Sequence, residues 1–310
     1  MKGNKHMKTI TSFICVAFAL LLGPFALLLQ AQAVVPAPDG VSLDDNPSLA
    51  LQNDADSTSP EFEGRETRTV LGLYNPSTLE TRIWYMNNNV HVGTVAGPRL
   101  APRWRPVTAA DFNGDGHIDV LFFNTITRRT WIGYLGGTQL TGEYGPTLPS
   151  GWQLVGTADF NHDGHPDFVL YNSSFSSRQT AIWYMNNNVL VSSASGPTLP
   201  TWRISLVAVS DFNGNGYADY LLFDPFLLQT GIWYMHNNVV VGGAVGPSLP
   251  FPSIAQQAWA LVGATDFNHD GRADVLLYKP FTRETAIAYN NNWARRPGPS
   301  IPSGWNLFAP

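Results

Sequence analysis

Four nine-residue segments of the sequence carry the residue types that bind a hard cation. They begin at Asp111, Asp159, Asp211 and Asp266 and share the pattern Asp-Phe-Asn-x-Asp/Asn-Gly-x-x-Asp. Short oxygen-bearing side chains at positions 1, 3 and 5, a glycine at position 6 and a backbone carbonyl at position 7 can surround calcium in a tight loop. Position 12, where an EF-hand has its closing glutamate, is apolar here, so the aspartate at position 9 must close the cage instead.

These segments, called the Asp loops below, predict up to four structural calcium ions. The alternative is an ordinary hairpin turn without metal, because Asp, Asn and Gly are common turn residues. Four copies in one register favour calcium, although Asn215 leaves the third loop with one negative charge fewer. The predicted ligands, with position 7 contributing its carbonyl, are Asp111, Asn113, Asp115, His117 and Asp119; Asp159, Asn161, Asp163, His165 and Asp167; Asp211, Asn213, Asn215, Tyr217 and Asp219; and Asp266, Asn268, Asp270, Arg272 and Asp274.

The segments around the Asp loops repeat as well. Each loop lies between two short apolar runs, and a further run follows that reads Ile-Trp-Tyr-Met from Ile83, Ile182 and Ile232. An Asn-rich tight turn, a fourth run and Gly-Pro-x-Leu-Pro complete the unit, and asparagine tolerates the positive φ that such a turn needs. The Asp loops begin 48, 52 and 55 residues apart, which is room for four short strands. A four-stranded antiparallel unit that repeats at this interval predicts a propeller blade.

The two ends of the repeat region decide the number of blades. Residues 70–102 contain only the later three strands of a unit, and residues 305–310 match only its first strand. Together they make one blade that closes the ring and leaves no terminal edge free. The sequence therefore predicts an all-β fold, a five-bladed β-propeller of four-stranded antiparallel blades over residues 67–310.

The first 66 residues have a different character. Residues 1–33 combine a basic start, an apolar stretch and an Ala31-Gln32-Ala33 cleavage site, which predicts a signal peptide. An uncleaved membrane anchor is the alternative, because the apolar stretch is long enough to span a bilayer. Residues 34–66 carry eight acids against one base and predict a flexible acidic linker. We expect a protein that is secreted, periplasmic or at the cell surface, with no stable membrane span after cleavage and no disulfide, since the lone Cys15 lies in the signal.

The Asp-Phe-Asn-x-Asp-Gly-x-x-Asp loop that follows a short strand in each blade resembles the FG-GAP/VCBS repeat family. That family includes the calcium-bearing blades of integrin α-chain propellers and several secreted propeller lectins, and the resemblance extends over residues 70–310. It implies one calcium ion in each Asp loop, between the first two strands of a blade. It also implies no ion in the first blade, which lacks the loop, and a secreted protein that binds sugars or proteins.

The carboxylates argue against an enzyme. Fifteen acids follow residue 66, and eleven of them lie in the Asp loops. Of the remaining four, Glu80 and Glu284 occupy equivalent places in two blades, so a glycoside hydrolase with this acid pair is the enzymatic alternative. Nucleic acid is not expected as a partner, because fourteen bases face those fifteen acids.

The tryptophans suggest where a ligand binds. One set begins each blade and is expected to pack between blades: Trp104, Trp152, Trp202, Trp259 and Trp305. A second set, Trp84, Trp183 and Trp233, lies beside the Asn-rich turns and could stack on sugar rings, although packing between blades is the alternative. We therefore predict a non-catalytic module that binds a glycan or, as the second hypothesis, an extracellular protein.

Overall fold

The computed structural model describes residues 69–135, 141–174, 176–250 and 258–308, which form twenty β-strands in five four-stranded antiparallel sheets. Each sheet is one blade, and the innermost strands of neighbouring blades contact one another around a common axis. The predicted five-bladed propeller is confirmed. The predicted signal peptide (1–33) and acidic linker (34–66) lie outside the described residues.

The strands follow the repeat of the sequence. From the axis outwards, blade 1 contains β20 (Asn306–Phe308), β1 (Val70–Tyr74), β2 (Thr81–Asn87) and β3 (Val90–Ala96), so the ring closes with the C-terminal strand as predicted. Blade 2 contains β4 (Trp104–Ala110), β5 (Asp119–Asn124), β6 (Arg129–Tyr134) and β7 (Thr141–Thr147). Blade 3 contains β8 (Trp152–Ala158), β9 (Asp167–Asn172), β10 (Gln179–Asn186) and β11 (Val189–Thr198). Blade 4 contains β12 (Ser205–Ser210), β13 (Asp219–Asp224), β14 (Gln229–His236) and β15 (Val239–Val245). Blade 5 contains β16 (Ala260–Thr265), β17 (Asp274–Lys279), β18 (Glu284–Tyr289) and β19 (Ala294–Pro297).

Antiparallel order gives the ring two chemically different ends. The Asp loops and the Asn-rich turns connect strands at one end, which we call the Asp-loop face. The turns after β1, β5, β9, β13 and β17, and the links between blades, lie at the other end, which we call the turn face. Everything that the sequence predicted to bind calcium is therefore on one face.

The core consists of five clusters of buried side chains, each between two neighbouring blades. Alternate residues of one strand point to opposite sides of the sheet, so each blade supplies two clusters. In β1, Leu71 and Leu73 pack against blade 5, whereas Val70 and Tyr74 pack against blade 2. Each blade thus depends on its neighbours for its apolar contacts.

A repeated hydrogen bond fixes the outer strand of every blade. A buried threonine near the start of the third strand donates its hydroxyl hydrogen to the carbonyl of the proline in the Gly-Pro pair at the end of the blade, over 2.6–2.8 Å. A Cβ on the preceding glycine would lie 2.4–2.5 Å from that hydroxyl oxygen, so glycine is required there. The pairs are Thr81 with Pro98, Thr130 with Pro146, Thr180 with Pro197, Thr230 with Pro247, and Thr285 with Pro299.

One tryptophan expected in the core lies elsewhere. Trp104 and Trp305 are buried and Trp152 and Trp259 are half-buried, but Trp202 is 56% exposed, so the prediction was wrong for this residue. The reason is spacing, because Trp202 precedes its Asp loop by nine residues and Trp104 and Trp152 precede theirs by seven. Ile204 stands seven residues before the loop and packs between blades 3 and 4 instead.

Candidate functional site

The Asp loops share one backbone conformation. Position 6 is glycine with φ between 83° and 89° in all four loops. Position 4 also has positive φ, and there two loops have a glycine and two have a histidine, His162 (61°) and His269 (58°). Positive φ is uncommon outside glycine, asparagine, aspartate and histidine, so the residue choice at both positions follows from the shape of the loop.

The side chains of each Asp loop hold the loop's own backbone. In the first loop the Asp111 carboxylate accepts hydrogen bonds from the amides of Gly114 (2.7 Å) and Gly116 (2.8 Å). Asn113 Oδ1 accepts from the Asp115 amide at 3.0 Å, and Asp115 Oδ1 accepts from the His117 amide at 2.8 Å. The other three loops repeat the bonds to the amides of positions 5, 6 and 7. The loop is therefore shaped by its polar side chains.

The aspartate at position 9 has a different role. It has no exposed surface, and its two carboxylate oxygens accept hydrogen bonds from the amide of position 2 and from an amide at the end of the blade's third strand. It thus ties the Asp loop to the strand that carries the Asn-rich turn. The acceptors and their two donors are Asp119 with Phe112 and Leu135, Asp167 with Phe160 and Met185, Asp219 with Phe212 and Met235, and Asp274 with Phe267 and Asn290, over 2.8–3.1 Å.

Burial dominates the electrostatics of these aspartates. Loss of hydration raises the pKa of each position-9 carboxyl to about 6, and the two amide hydrogen bonds oppose that rise. In three loops the aspartates at positions 1 and 5 add repulsion that raises the pKa further; in the loop with Asn215 only Asp211 does so. A bound cation would offset this clustering of like charge.

Sequence reasoning missed this tie and the phenylalanine at position 2. Phe112, Phe160, Phe212 and Phe267 are buried, and two of them contact an aromatic ring of the next blade edge-on, Phe112 with Phe168 and Phe160 with Tyr220. The signal was present as an invariant Asp-Phe pair at the start of every loop. In blade 1, which has no Asp loop, the carbonyl of Thr69 accepts the hydrogen bond of the Met86 amide that an aspartate would otherwise accept.

The donor set suits a hard cation by its chemistry. A carboxylate offers about four acceptor positions. Asp115 uses two of them, for the His117 amide and for Asn113 Nδ2, so its oxygens keep acceptor capacity for a metal ion. In the described part of the chain, however, no three Asp, Glu, His or Cys side chains stand together as a metal-binding group. Calcium in the Asp loops therefore stays a prediction.

An aromatic stack lies on the same face, between blades 3 and 4. The ring of His162 stacks on Tyr217 with centroids 4.1 Å apart, and Tyr217 contacts His236 with centroids 4.4 Å apart. His162 and His236 are exposed and Tyr217 is half-buried. Tyr184 of blade 3 donates its hydroxyl hydrogen to Asn237 Oδ1 of blade 4. Exposed rings beside amide groups thus lie where two blades meet.

The Asn-rich turns form hydrogen bonds to the neighbouring blades. The third residue of three turns donates a side-chain amide hydrogen to a carbonyl in the outer strand of the preceding blade. These bonds join Asn89 to Pro297, Asn188 to Tyr144 and Asn238 to Ser195, over 2.7–3.1 Å. The second residue has φ of 52–54°, as expected for asparagine in a tight hairpin. The first residue of each turn is left at the exposed surface.

The structure does not bring the three predicted ligand-binding tryptophans together. Trp84 is 7% exposed and stacks on His91, with centroids 4.2 Å apart. Trp183 and Trp233 are half-buried and pack between blades. In each of these strands the tyrosine that follows the tryptophan packs on the opposite side of the blade. The tryptophan and the tyrosine of each strand therefore both pack between blades, which was the alternative to sugar binding.

Comparisons with known proteins support the repeat. Residues 159–222, which include two Asp loops, match the family model described as FG-GAP-like repeat. No curated protein sequence matches the chain. A nidogen/laminin complex contains a chain that is 10% identical, with a TM-score of 0.50 over 77% of this chain and 96% of that one. A Bacteroides caccae protein of unknown function (11% identity, TM-score 0.40, 74% and 73% coverage) and hydrazine synthase of Kuenenia stuttgartiensis (12%, 0.39, 77% and 61%) are also similar. At 10% identity the chain of the nidogen/laminin complex shows the fold alone.

Among the described residues there is no helix of the length and apolarity that crossing a membrane requires.

Proposed function

We propose, from the premise that this chain is a five-bladed propeller of FG-GAP-like repeats, that it is an exported, calcium-stabilised binding module of the lectin type. The observation that carries this proposal is the His162–Tyr217–His236 stack beside the Asn-rich turns. Aromatic rings pack against the apolar C–H faces of sugars, and neighbouring amides hydrogen-bond to the hydroxyls. We place the glycan site on the Asp-loop face between blades 3 and 4.

The acids outside the Asp loops support a non-catalytic role. A glycoside hydrolase needs one carboxylic acid that keeps its proton near neutral pH. Glu284, one of the two acids at equivalent blade positions, accepts a hydrogen bond from Lys279 Nζ at 2.7 Å. That hydrogen bond and the charge of Lys279 lower the pKa of Glu284, which is the wrong direction for a general acid.

A glycan array tests the proposed site. We expect the protein to bind a limited set of glycans, and we expect the double variant Tyr217→Ala/His236→Ala to lose at least about tenfold in affinity because ring contacts contribute on the order of 1 kcal/mol each. Tyr217→Ala keeps the backbone carbonyl that we predict to bind calcium. The matched control is Trp84→Phe, which changes a buried aromatic residue on another blade. An array on which no glycan binds, or a double variant that binds as well as the wild type, contradicts the lectin proposal.

Calcium binding is predicted to raise thermal stability. Extracellular calcium modules have Kd values of about 10⁻⁴–10⁻³ M, so millimolar calcium stabilises each site by roughly 0.4–1.4 kcal/mol. The three sites with an aspartate at position 5 would alone raise the melting temperature by about 2–17 °C. Differential scanning fluorimetry with calcium, with magnesium and with a chelator measures this shift.

The structure offers a matched control for calcium. Blade 4 has Asn215 at position 5, and its Oδ1 accepts the Tyr217 amide as an aspartate oxygen does in the other loops. Asp115→Asn, Asp163→Asn and Asp270→Asn together should therefore keep the calcium-free melting temperature and lose most of the calcium-dependent rise. A wild-type protein whose melting temperature is the same with calcium and with chelator would show that the loops act without metal.

A protein partner is the second candidate function, and the outer strands favour it. All seven residues of β15 are exposed, with Val241 at 63% and Val245 at 73%, and Val191 of β11 is 66% exposed. Neither strand carries a charged residue, whereas β19 carries Arg295 and Arg296. An uncharged apolar edge can pair with an added strand. Capture of a protein that Val241→Lys abolishes, together with an array without glycan hits, would favour this function.

A further inference from the structure

Charge is divided unequally between the two ends of the propeller. We count each charged residue of the described chain with the nearer end of its strand. The Asp-loop face then has twelve acids and three cations, and the turn face has three acids and ten cations. The ten include Arg99, Arg128, Arg178, Arg203, Lys279 and Arg283. The almost neutral total conceals a strong dipole along the ring axis.

Two of the three acids on the turn face are already paired. Asp224 lies 3.5 Å from Arg203, and Glu284 lies 2.7 Å from Lys279. Four of the other eight arginines there bind neutral carbonyl oxygens, as Arg99 does at Thr78 and Arg178 at Pro200. Such bonds hold a guanidinium in place and leave its charge uncompensated. The turn face is therefore a preformed cationic surface.

Large apolar side chains project from the same face. Ile126, Phe226, Leu227 and Phe281 lie in the turns of blades 2, 4 and 5 and are 37–57% exposed. Trp202, displaced from the core by the longer spacing in blade 4, is 56% exposed and contacts Phe226 edge-on with centroids 5.8 Å apart. A contiguous exposed apolar patch marks an interaction site, and Trp202 and Phe226 form such a patch at blade 4.

We propose that the turn face docks on an anionic lipid bilayer. Arginine and lysine pair with lipid phosphates, and the aromatic and aliphatic tips enter the boundary between headgroups and acyl chains. Aliphatic tips favour a bilayer over a soluble polyanion, because only the bilayer offers Ile126 and Leu227 an apolar phase to enter. Because ten of the thirteen cations of the described chain lie on the turn face, docking through them leaves the Asp-loop face directed away from the lipid.

Vesicle cosedimentation of the full chain tests the docking. We expect binding to phosphatidylcholine vesicles that contain a third of phosphatidylglycerol to be at least about tenfold stronger than binding to phosphatidylcholine alone, and to weaken with salt. Arg99→Ser with Arg283→Asn should reduce binding by about tenfold or more. Asparagine suits the positive φ of 60° at position 283. Trp202→Ala with Leu227→Ser and Phe281→Ser should reduce binding by at least as much.

The control variant is Arg295→Ser with Arg296→Ser, which removes two charges from the Asp-loop face and should bind as the wild type does. Melting temperatures confirm that every variant is folded. Equal binding to neutral and anionic vesicles overturns the proposal, and so does an equal loss in the control variant. Binding that the apolar variant retains, and that heparin or DNA reproduces, identifies a soluble polyanion instead and also overturns it. The outcome is independent of the glycan array, which tests the opposite face.

Discussion

Replacing Asp167 by alanine is expected to lower the free energy of unfolding by about 2–6 kcal/mol, with calcium or without it. The carboxylate is fully buried and accepts the amides of Phe160 at 3.0 Å and Met185 at 2.9 Å. Alanine leaves both amides without an acceptor in a place that water does not reach, and each buried unsatisfied donor costs about 1–3 kcal/mol. Urea denaturation in the presence of a chelator measures the effect.

Asp163→Asn is the matched control, because it changes an aspartate of the same loop that is exposed. We expect less than about 0.5 kcal/mol of change in chelator for this variant. The two variants separate the two roles of the motif, the hydrogen-bonded tie made by position 9 and the predicted binding of calcium. If Asp167→Ala were harmless in chelator and destabilising only in calcium, then position 9 would act mainly as a metal ligand and the hydrogen-bonded tie would be unimportant.

Blade 1 shows that the tie is the more general feature. It has no Asp loop, yet the Met86 amide still finds an acceptor, the carbonyl of Thr69 at 2.8 Å. The amide at the end of the third strand therefore has a buried acceptor in every blade. A motif that looks like a cation cage in the sequence also meets a requirement of backbone hydrogen bonding that exists without the cation.

The architecture could be predicted because each blade repeats the same constraints. Loop spacing, the alternation of apolar residues and the incomplete units at both ends determine the number of strands and the closing blade before any contact is known. The register of each strand, and the side of the blade on which its side chains pack, were harder to predict from the sequence. The displacement of Trp202 is visible as a spacing of nine residues, but only packing shows that Ile204 fills the position between blades 3 and 4.

The candidate sites were harder to predict because they combine residues from different repeats. The stack of His162, Tyr217 and His236 joins position 4 of one Asp loop, position 7 of the next and the first residue of a turn. No spacing in the sequence brings these three together. The charge dipole is similar, since near-neutral totals gave no sign of it until strand order assigned each arginine to an end of the ring.

Ending the chain after Pro302 is expected to abolish the folded propeller. The last strand, β20, pairs with β1 through Asn306, Leu307 and Phe308. The segment also buries Trp305, over which the Arg82 guanidinium lies 4.4 Å from the ring centroid. Three large apolar side chains, Trp305, Leu307 and Phe308, leave the core, at about 1.5–3 kcal/mol each. Their sum is comparable to the whole stability of a typical domain, about 5–15 kcal/mol.

The loss should exceed that of shortening an ordinary terminus, because β20 completes the ring. Without it, β1 becomes an unpaired inner edge, and the clusters that blade 1 shares with blades 2 and 5 lose Phe308 on one side and Trp305 and Leu307 on the other. Circular dichroism and size-exclusion chromatography should show no cooperative melting and association of the shortened chain. A peptide of residues 303–310 should restore folding. A peptide with Phe308→Ala should not, because the Phe308 ring packs directly on Gly72 and fills the space that a side chain at position 72 would take. If the shortened chain melted like the wild type, blades 5 and 1 would hold together without β20. The ring would then be closed by contacts between blades and not by the pairing of β20 with β1.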